Sequence, residues 1–544
     1  MRFLTLLIVG LVGIPAFADA PVVHTRNGDV LGVLQGSVES FKALPFAAPP
    51  VGDLRWRPPQ DPADWLGVRD GSKFSSACPQ KDPSGSIIGS EDCLYLNVFR
   101  PQGARGLPVM VFVHGGHDAT GSAGVTENGV AAYDGSELAQ NGNVVVVTIN
   151  YRLGALGFIA HPELSRESGY AGSGNYGYMD QIQALNWVRR NVAAFGGDPD
   201  NVTLFGQSSG GGGVMVLLAS PLSRGLFHRA IIHSGQFAIQ DLKKAEGDGL
   251  SFSKALNCQS APDELKCMRT KSASEIVVAL PGGHASGGSA RGPSHFLPVV
   301  DGWILPHSPL EIIRAGMHHH VPVLIGNAAE ETSWIYYNES INIHTDQEYI
   351  DTVKKNYGKI ASEVLNLYPS GDYPSPRQAY NAISADHLFV CPAQRLTQAV
   401  SGSQSDFVGR FLYTHVLSGP LGFFGASHGF DLLFVFGTFG IYQLTPTPDE
   451  VTLKEKFQKT WTDFARSGRP GDFWNRYDAS QDNYAIFNTP MSSGSQLRTK
   501  QCDYWSPVGK PAAEVPEVAV EDPAQLPVVN EGPLLPRELL GRGN

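Results

Sequence analysis

The sequence predicts an α/β protein, a large and mainly parallel central sheet flanked by helices, and three observations predict it. Nearly continuous apolar runs recur at Val109–Val113, Val144–Ile149, Val202–Phe205 and Ala230–Ile232, and runs of that kind read as strands buried on both faces. Between the second and third lies Met179–Ala194, with Ile182, Leu185, Trp187, Val188 and Val192 at helical spacing, so that strand and helix alternate. Between the third and fourth, Gly206-Gln207-Ser208-Ser209-Gly210 stands directly after a strand and directly before a glycine-softened helix start.

Taken in order, Val30–Leu34 and Val38–Phe41 are short extended runs, followed by the proline-rich Leu44–Gly52, which cannot be helical and reads as a surface arm after edge strands. Glu91–Val98 alternates as a half-buried strand would, and a helical stretch is expected near Ala131–Asn141. Gly196-Gly197-Asp198-Pro199 turns the chain into the Val202–Phe205 strand. Val321–Asn327 is a further strand, with Phe407–Val416 and Phe434–Gly437 as the last candidate sheet elements. Leu453–Ala465 is an amphipathic helix that stops at Gly468, with Pro470 beyond. Residues 281–295 form a Gly/Ser/His-rich segment between apolar elements, and 508–544 are rich in Pro, Glu and Val without periodicity.

The chain has 544 residues, of which 42% are hydrophobic, and a formal net charge of −11. That balance, without a Lys/Arg cluster, excludes a nucleic-acid binder. Residues 1–20 run from Met1-Arg2 through an apolar stretch to Ala16-Phe17-Ala18-Asp19-Ala20, the pattern of a secretory signal peptide cleaved near Ala20 or Ala18. No later stretch is long enough to span a bilayer. The mature chain is expected to be secreted, with 21–507 as one domain and 508–544 as a loosely ordered tail. Six cysteines in a secreted chain suggest disulfides, and six admit fifteen pairings. Cys78 and Cys93 bracket a short loop, as do Cys258 and Cys267, which leaves Cys391 and Cys502 for a long-range bridge; none has metal-like spacing.

A serine hydroxyl is unreactive at its own pKa and needs a base, an acid that orients the base, and donors for an oxyanion. In Gly-x-Ser-x-Gly at a strand-to-helix turn the serine hydroxyl is pushed out at the top of the sheet, so Ser208 is the candidate nucleophile, and the acid and then the base follow it in chain order. Glu330 and Glu331 sit together in the loop after the Val321–Ile325 strand, and period alone does not separate them. Of the later histidines, His344, His387, His415 and His428, the last lies in the small-residue loop Gly425–Phe430 ahead of an apolar segment and is the best placed. His114-Gly115-Gly116-His117 follows the Val109–Val113 strand and offers backbone N–H groups beside the elbow. Ser209 adds another from the residue after the nucleophile.

These residues, with Leu44-Pro45-Phe46-Ala47, Leu54-Arg55-Trp56, Ser90–Asn97, Asn150-Tyr151-Arg152, Gly174–Gly177 and Phe195–Pro199, resemble the type-B carboxylesterases, the cholinesterase/lipase family of α/β-hydrolases, over nearly the whole mature chain. The resemblance implies an α/β-hydrolase fold and a serine carboxylic-ester hydrolase without cofactor or metal, acting on a small-molecule ester. It implies Ser208, Glu331 and His428 as catalytic triad, with Gly116, His117 and Ser209 as oxyanion hole. It also implies disulfides Cys78–Cys93 and Cys258–Cys267, an Arg55–Glu91 salt bridge, and a buried Ser234 hydroxyl hydrogen-bonded near the triad acid. A non-catalytic adhesion protein on the same fold, or a lipase with a lid over the site, are the rival classes. Ser208 with a base and an acid in order speaks for catalysis, and the short polar 79–90 loop speaks against a large lid.

Three departures from the family pattern stand out. His117 replaces a glycine of the oxyanion loop and Asp118 an aromatic residue, so that the His117 side chain either narrows or polarises the acyl pocket or turns away from it. Gln207 stands where glutamate is usual, and the Cys78–Cys93 loop has no tryptophan to hold a quaternary ammonium, so choline esters are not the expected substrate. His318-His319-His320 reads as a surface loop rather than a metal site. Asn201 and Asn338 open glycosylation sequons, the first running into the elbow strand. Oligomeric state is not legible.

Overall fold

Eleven strands form one sheet in the computed structural model, which describes residues 20–506 except 236, 280–296 and 339–342, and leaves aside the side chains of 336–338. Residues 1–19 of the expected leader, the 281–295 segment, the 508–544 tail, and Glu339 and Ser340 of the second sequon lie outside the described residues. In chain order the strands are β1 (Val33–Gln35), β2 (Val38–Pro45), β3 (Tyr95–Pro101), β4 (Leu107–Val113), β5 (Val145–Ile149), β6 (Gly197–Gln207), β7 (Arg229–His233), β8 (Val323–Ala328), β9 (Val408–Tyr413), β10 (Asn483–Phe487) and β11 (Ser492–Ser495). Their spatial order is β11-β10-β9-β8-β7-β6-β4-β5-β3-β2-β1.

All pairings from β5 through β4, β6, β7, β8 and β9 to β10 are parallel. The margins, β5/β3, β3/β2, β2/β1 and β10/β11, are antiparallel. The sheet is therefore mixed, with a parallel centre. The turns joining β1 to β2 and β10 to β11 are too short for a crossover, and such turns enforce antiparallel neighbours.

Helices cover both faces. Those that matter for the site are α1 (Ser136–Gly142), α2 (Tyr176–Asn191), α3 (Ser209–Ala219), α4 (Pro376–Ala385), α5 (Cys391–Ser403), α6 (Asp431–Phe436), α7 (Pro448–Ser467) and α8 (Thr499–Trp505). Alternate residues of β4 divide the core. Val109, Val111 and Val113 pack with Leu185 and Val188 of α2 and Val214 and Leu217 of α3, while Met110 and Phe112 face α6 and α7 through Phe436, Phe457 and Trp461. The α7 helix starts in a Thr447–Glu450 capping box with Pro448 at its first position, earlier than the Leu453 expected, and ends at the expected Gly468, in the left-handed region (φ 75°).

Three expectations need correction. Residues 434–436 belong to helix α6 and Gly437 caps it, so the stretch is not a strand; every residue of α6 is buried, and a short buried run carries no period to tell helix from strand. The helix expected from Ala131 begins at Ser136, because Val130 and Ala131 pair with Thr126 and Glu127 in a small hairpin. Two of the three consecutive histidines are buried, not on a surface loop: His318 Nε2 meets Gln404 Oε1 at 3.1 Å, and His319 Nε2–H donates to the Ser220 carbonyl at 2.8 Å. Each ring has a local partner, and no cluster of three metal-ligating side chains occurs among the described residues.

The six cysteines form Cys78–Cys93, Cys258–Cys267 and Cys391–Cys502. Arg55 Nε donates to Glu91 Oε2 at 2.8 Å, and its Nη1 to the carbonyls of Arg269 and Lys271, so one guanidinium ties the first disulfide loop to the segment that follows the second. Among the described residues no helix is long and apolar enough to cross a membrane.

Candidate active site

The parallel centre of the sheet brings five strand ends to one edge. The register aligns Val113 with Gly206, Gln207 with His233, His233 with Gly326, and Ala328 with Tyr413. The loops that leave β4, β6, β7, β8 and β9 therefore meet over the carboxyl ends of the strands, where open α/β sheets bind ligands.

Ser208 stands between β6 and α3 with φ 59° and ψ −127°, in the left-handed region that costs an L-residue about 1–3 kcal/mol. Its amide donates to the His233 carbonyl at 3.0 Å, and its own carbonyl accepts from Gly212 N at 3.0 Å. The glycines around it are required by space. A Cβ on Gly206 would lie 2.4 Å from the Gly210 carbonyl oxygen, and one on Gly210 would lie 2.2 Å from that of Val113. Gly210→Ala is therefore expected to destabilise the fold by about 3 kcal/mol, because the obstructing atoms are backbone; the midpoint of urea unfolding checks it, and an unmoved midpoint would refute the steric account.

The two adjacent carboxylates do different things. Glu331 is fully buried, and its Oε2 accepts from His428 Nδ1–H at 2.6 Å, while its Oε1 accepts from Ala328 N at 2.8 Å and Asn327 Nδ2 at 3.2 Å. Glu330 instead grips the loop that carries His428: its amide donates to the Ala426 carbonyl at 3.0 Å and its Oε2 accepts from Ala426 N at 2.8 Å. Burial raises the Glu330 pKa against the pull of the Ala426 amide.

With Nδ1–H committed to Glu331, neutral His428 presents Nε2 as a base, the tautomer a serine nucleophile needs. Nε2 is buried and makes no hydrogen bond among the described residues. The loops carrying Ser208 and His428 approach each other, since the side-chain nitrogen of Gln207 lies 3.6 Å from where a Cβ on Gly429 would be. The Phe389 ring packs on His428 at 4.9 Å between centroids. It comes from a π-helical turn, Asp386–Val390, that joins α4 to α5; no sequence signal pointed to it.

On the other flank, Gly116 (φ 111°), His117 and Asp118 (both φ 57°) follow β4 in the left-handed region. A Cβ on Gly116 would sit 2.3 Å from the Thr120 carbonyl oxygen. Burial and the proximity of His428 hold the His117 imidazole down at about 4, so it is neutral at neutral pH and brings no charge to the site. His114 is likewise held to about 4 by burial, and its Nδ1–H donates to the Gly115 carbonyl at 2.8 Å.

One expectation for a nearby residue is not met, and one pair was not anticipated. Ser234 is buried, its amide donates to the Gly326 carbonyl at 2.8 Å, but its hydroxyl makes no hydrogen bond among the described residues; both oxygens of Glu331 are already engaged as above. A second histidine–carboxylate pair, not foreseen, lies beneath the elbow. His233 Nε2 accepts from Trp461 Nε1 at 2.9 Å, so its Nδ1–H donates to Asp431 Oδ2 at 2.6 Å.

The chain as a whole has relatives. The Carboxylesterase family matches residues 19–505. This chain belongs to that family. It is 34% identical over 513 residues to the fumonisin B1 esterase of Sphingopyxis macrogoltabida, covering 90% of this chain and 91% of that one. It is 34% identical to the para-nitrobenzyl esterase of Bacillus subtilis strain 168 over 82% of this chain and 90% of the relative. The human cocaine esterase is 32% identical, over 89% and 91% respectively. A solved PNB esterase structure superposes with a TM-score of 0.76 at 32% identity, covering 90% of this chain and all of the other. This carboxylesterase has the α/β-hydrolase fold and is a carboxylic-ester hydrolase.

Proposed function

We propose that residues 21–507 act as one hydrolase domain in which Ser208 attacks an ester carbonyl, His428 takes and returns the proton, and Glu331 orients the imidazole. The N–H groups of Gly116, His117 and Ser209 stabilise the oxyanion, aided by the positive N-terminal end of α3. Attack forms a bond from Oγ to the carbonyl carbon while His428 Nε2 receives the hydroxyl proton. Collapse expels the alcohol, protonated by His428, and water repeats the sequence to free the acid. The observation that carries this reading is the 2.6 Å Glu331–His428 pair, set on the sheet edge where the strained elbow presents Ser208.

Small or medium uncharged esters are the proposed substrates. Gln207 contributes no negative field, His117 is neutral, and the 79–90 loop folds as a short hairpin pairing Gln80–Lys81 with Ile87–Ile88, with no ring for a quaternary ammonium. Relatives named as esterases of fumonisin B1 and cocaine support ester hydrolysis as the reaction. The three disulfides, together with the Met1–Ala20 pattern, support secretion. Mass spectrometry of the protein after a fluorophosphonate treatment tests the mechanism: the adduct is expected on the peptide holding Ser208, and a label elsewhere, or none on active enzyme, would refute it.

A further inference from the structure

Asp118 occupies the place of an aromatic residue in the oxyanion loop, and nothing in the mechanism above uses its carboxylate. It is 3% exposed and held from every side. Its Oδ2 accepts from Tyr178 Oη of α2 at 2.8 Å and its Oδ1 from Tyr151 Oη, just past β5, at 3.2 Å. Its amide donates to Ser209 Oγ at 3.0 Å, and its carbonyl accepts from Gly154 N at 2.7 Å. The loop on which it sits places His117 and Asp118 consecutively at φ 57°, a conformation that L-residues keep only when their surroundings over-determine it. The side chain thus joins the loop of β4 to α2 and to the segment after β5, and the backbone amide joins it to the first residue of α3.

We infer that Asp118 is the positioning residue of the oxyanion loop, and that the proton on its carboxyl controls how well the loop stabilises a negative oxygen. The inference rests on the catalytic reading above, in which His117 and Ser209 supply two of the donors.

The hydrogen bonds accommodate both protonation states. Tyr151 has one hydroxyl proton and two acceptors in reach, Asp118 Oδ1 at 3.2 Å and the His114 carbonyl at 2.9 Å. When Asp118 is ionised, Tyr151 donates to it. When it is neutral, its Oδ1–H donates to Tyr151 Oη and Tyr151 turns its proton to His114, while Tyr178 donates to Oδ2 throughout. No backbone has to move. The other titratable groups around it are His114, stacked on Tyr151 at 4.6 Å, His117, and the buried Arg152–Asp180 pair at 2.8 Å. Both histidines are held neutral, and the arginine is paired, so no unpaired cation faces the carboxylate. Burial accordingly pushes the Asp118 carboxyl up to about 7, and its ionisation above that pH places a negative charge behind donors that must hold another. Coulomb repulsion between the two charges lowers the rate.

The sign for stability is the same. The folded carboxyl binds its proton more tightly than the unfolded one, so stability falls as pH rises from about 4 to about 7, and stays lower above.

The test is the pH dependence of kcat for phenyl acetate, followed by pH-stat between pH 6 and 9, for the parent, Asp118→Asn and Asp118→Leu, with fluorophosphonate labelling of each. The parent is expected to lose rate at the alkaline end. Asp118→Asn keeps the shape and both tyrosine contacts without the charge; at pH 9 it is expected to exceed the parent by on the order of tenfold, and to melt higher than the parent at pH 8.5 but not at pH 5. Asp118→Leu removes the anchor and is expected to lower kcat roughly a hundredfold with little change in KM. An Asp118→Asn profile that keeps the parent's alkaline decline overturns the inference, as does an Asp118→Leu enzyme with the parent's kcat. Should the leucine variant not fold, the asparagine profile decides alone. A parent that is active but unlabelled at Ser208 overturns the catalytic reading and this inference with it; a labelled parent leaves only the role of Asp118 at stake.

Discussion

Ser208→Ala is expected to lower kcat for p-nitrophenyl acetate by about 10⁵- to 10⁶-fold while leaving the melting temperature close to the parent's. The loss is large because the side chain supplies the atom that bonds to the substrate; what survives is the oxyanion hole and binding, worth about 10³- to 10⁴-fold over water. The fold tolerates the change because Ser208 is tied into the sheet edge by its backbone, through the His233 carbonyl and Gly212 amide. Alanine also keeps the Cβ that approaches Gly115. Steady-state kinetics on purified variant checks this, and a loss of less than a hundredfold would remove Ser208 as nucleophile.

Glu331→Gln is expected to lower kcat by about 10⁴-fold. One oxygen of Glu331 already accepts two donors, from Ala328 and Asn327. A glutamine that keeps its carbonyl there must turn its NH₂ toward His428. His428 Nδ1 then becomes an acceptor and the ring proton moves to Nε2, where a base is needed. The neighbouring Glu330→Gln is expected to cost far less, because its contact is a single acceptance from Ala426 N, which an amide oxygen can reproduce. Comparing the two variants on one substrate discriminates the roles: similar losses, or a larger one at Glu330, would overturn the assignment of the acid.

Much of this was legible in the residues because the parallel strands announce themselves. β4, β5 and the inner part of β6 are buried on both faces, and a run that needs no polar side needs no alternation. The elbow was legible because Gly206 and Gly210 answer a requirement that no other residue meets. Residue pattern alone did not separate Glu330 from Glu331, and only the family resemblance chose between them, since both follow β8 within three residues and the path of the Gly425–Phe430 loop decides which one faces the imidazole. Phe389 and the His233–Asp431–Trp461 cluster were invisible for a related reason. Their partners are distant in the chain, and a lone aromatic or histidine on an apolar element has no pattern of its own. Asp118 was visible as a departure from the family, but the reason it is tolerated lies in Tyr178, three-dimensionally opposite and silent in sequence. The 434–437 stretch misled because burial on every side erases period.

The Cys391–Cys502 bridge closes a loop with a sequence separation of 111 residues and fastens α8 to the first residue of α5, one step along the chain from the π-helical turn whose Phe389 leans on His428. Closing a loop of that length is worth about 4–5 kcal/mol in chain entropy. For anyone producing the enzyme, the choice of host compartment thus becomes a choice about the surroundings of His428: cytosolic expression under reducing conditions yields a chain whose α8 is unfastened, whereas export to an oxidising space delivers it locked. Tags belong at the C-terminal side of Cys502, and a truncation that removes that cysteine forfeits the clasp.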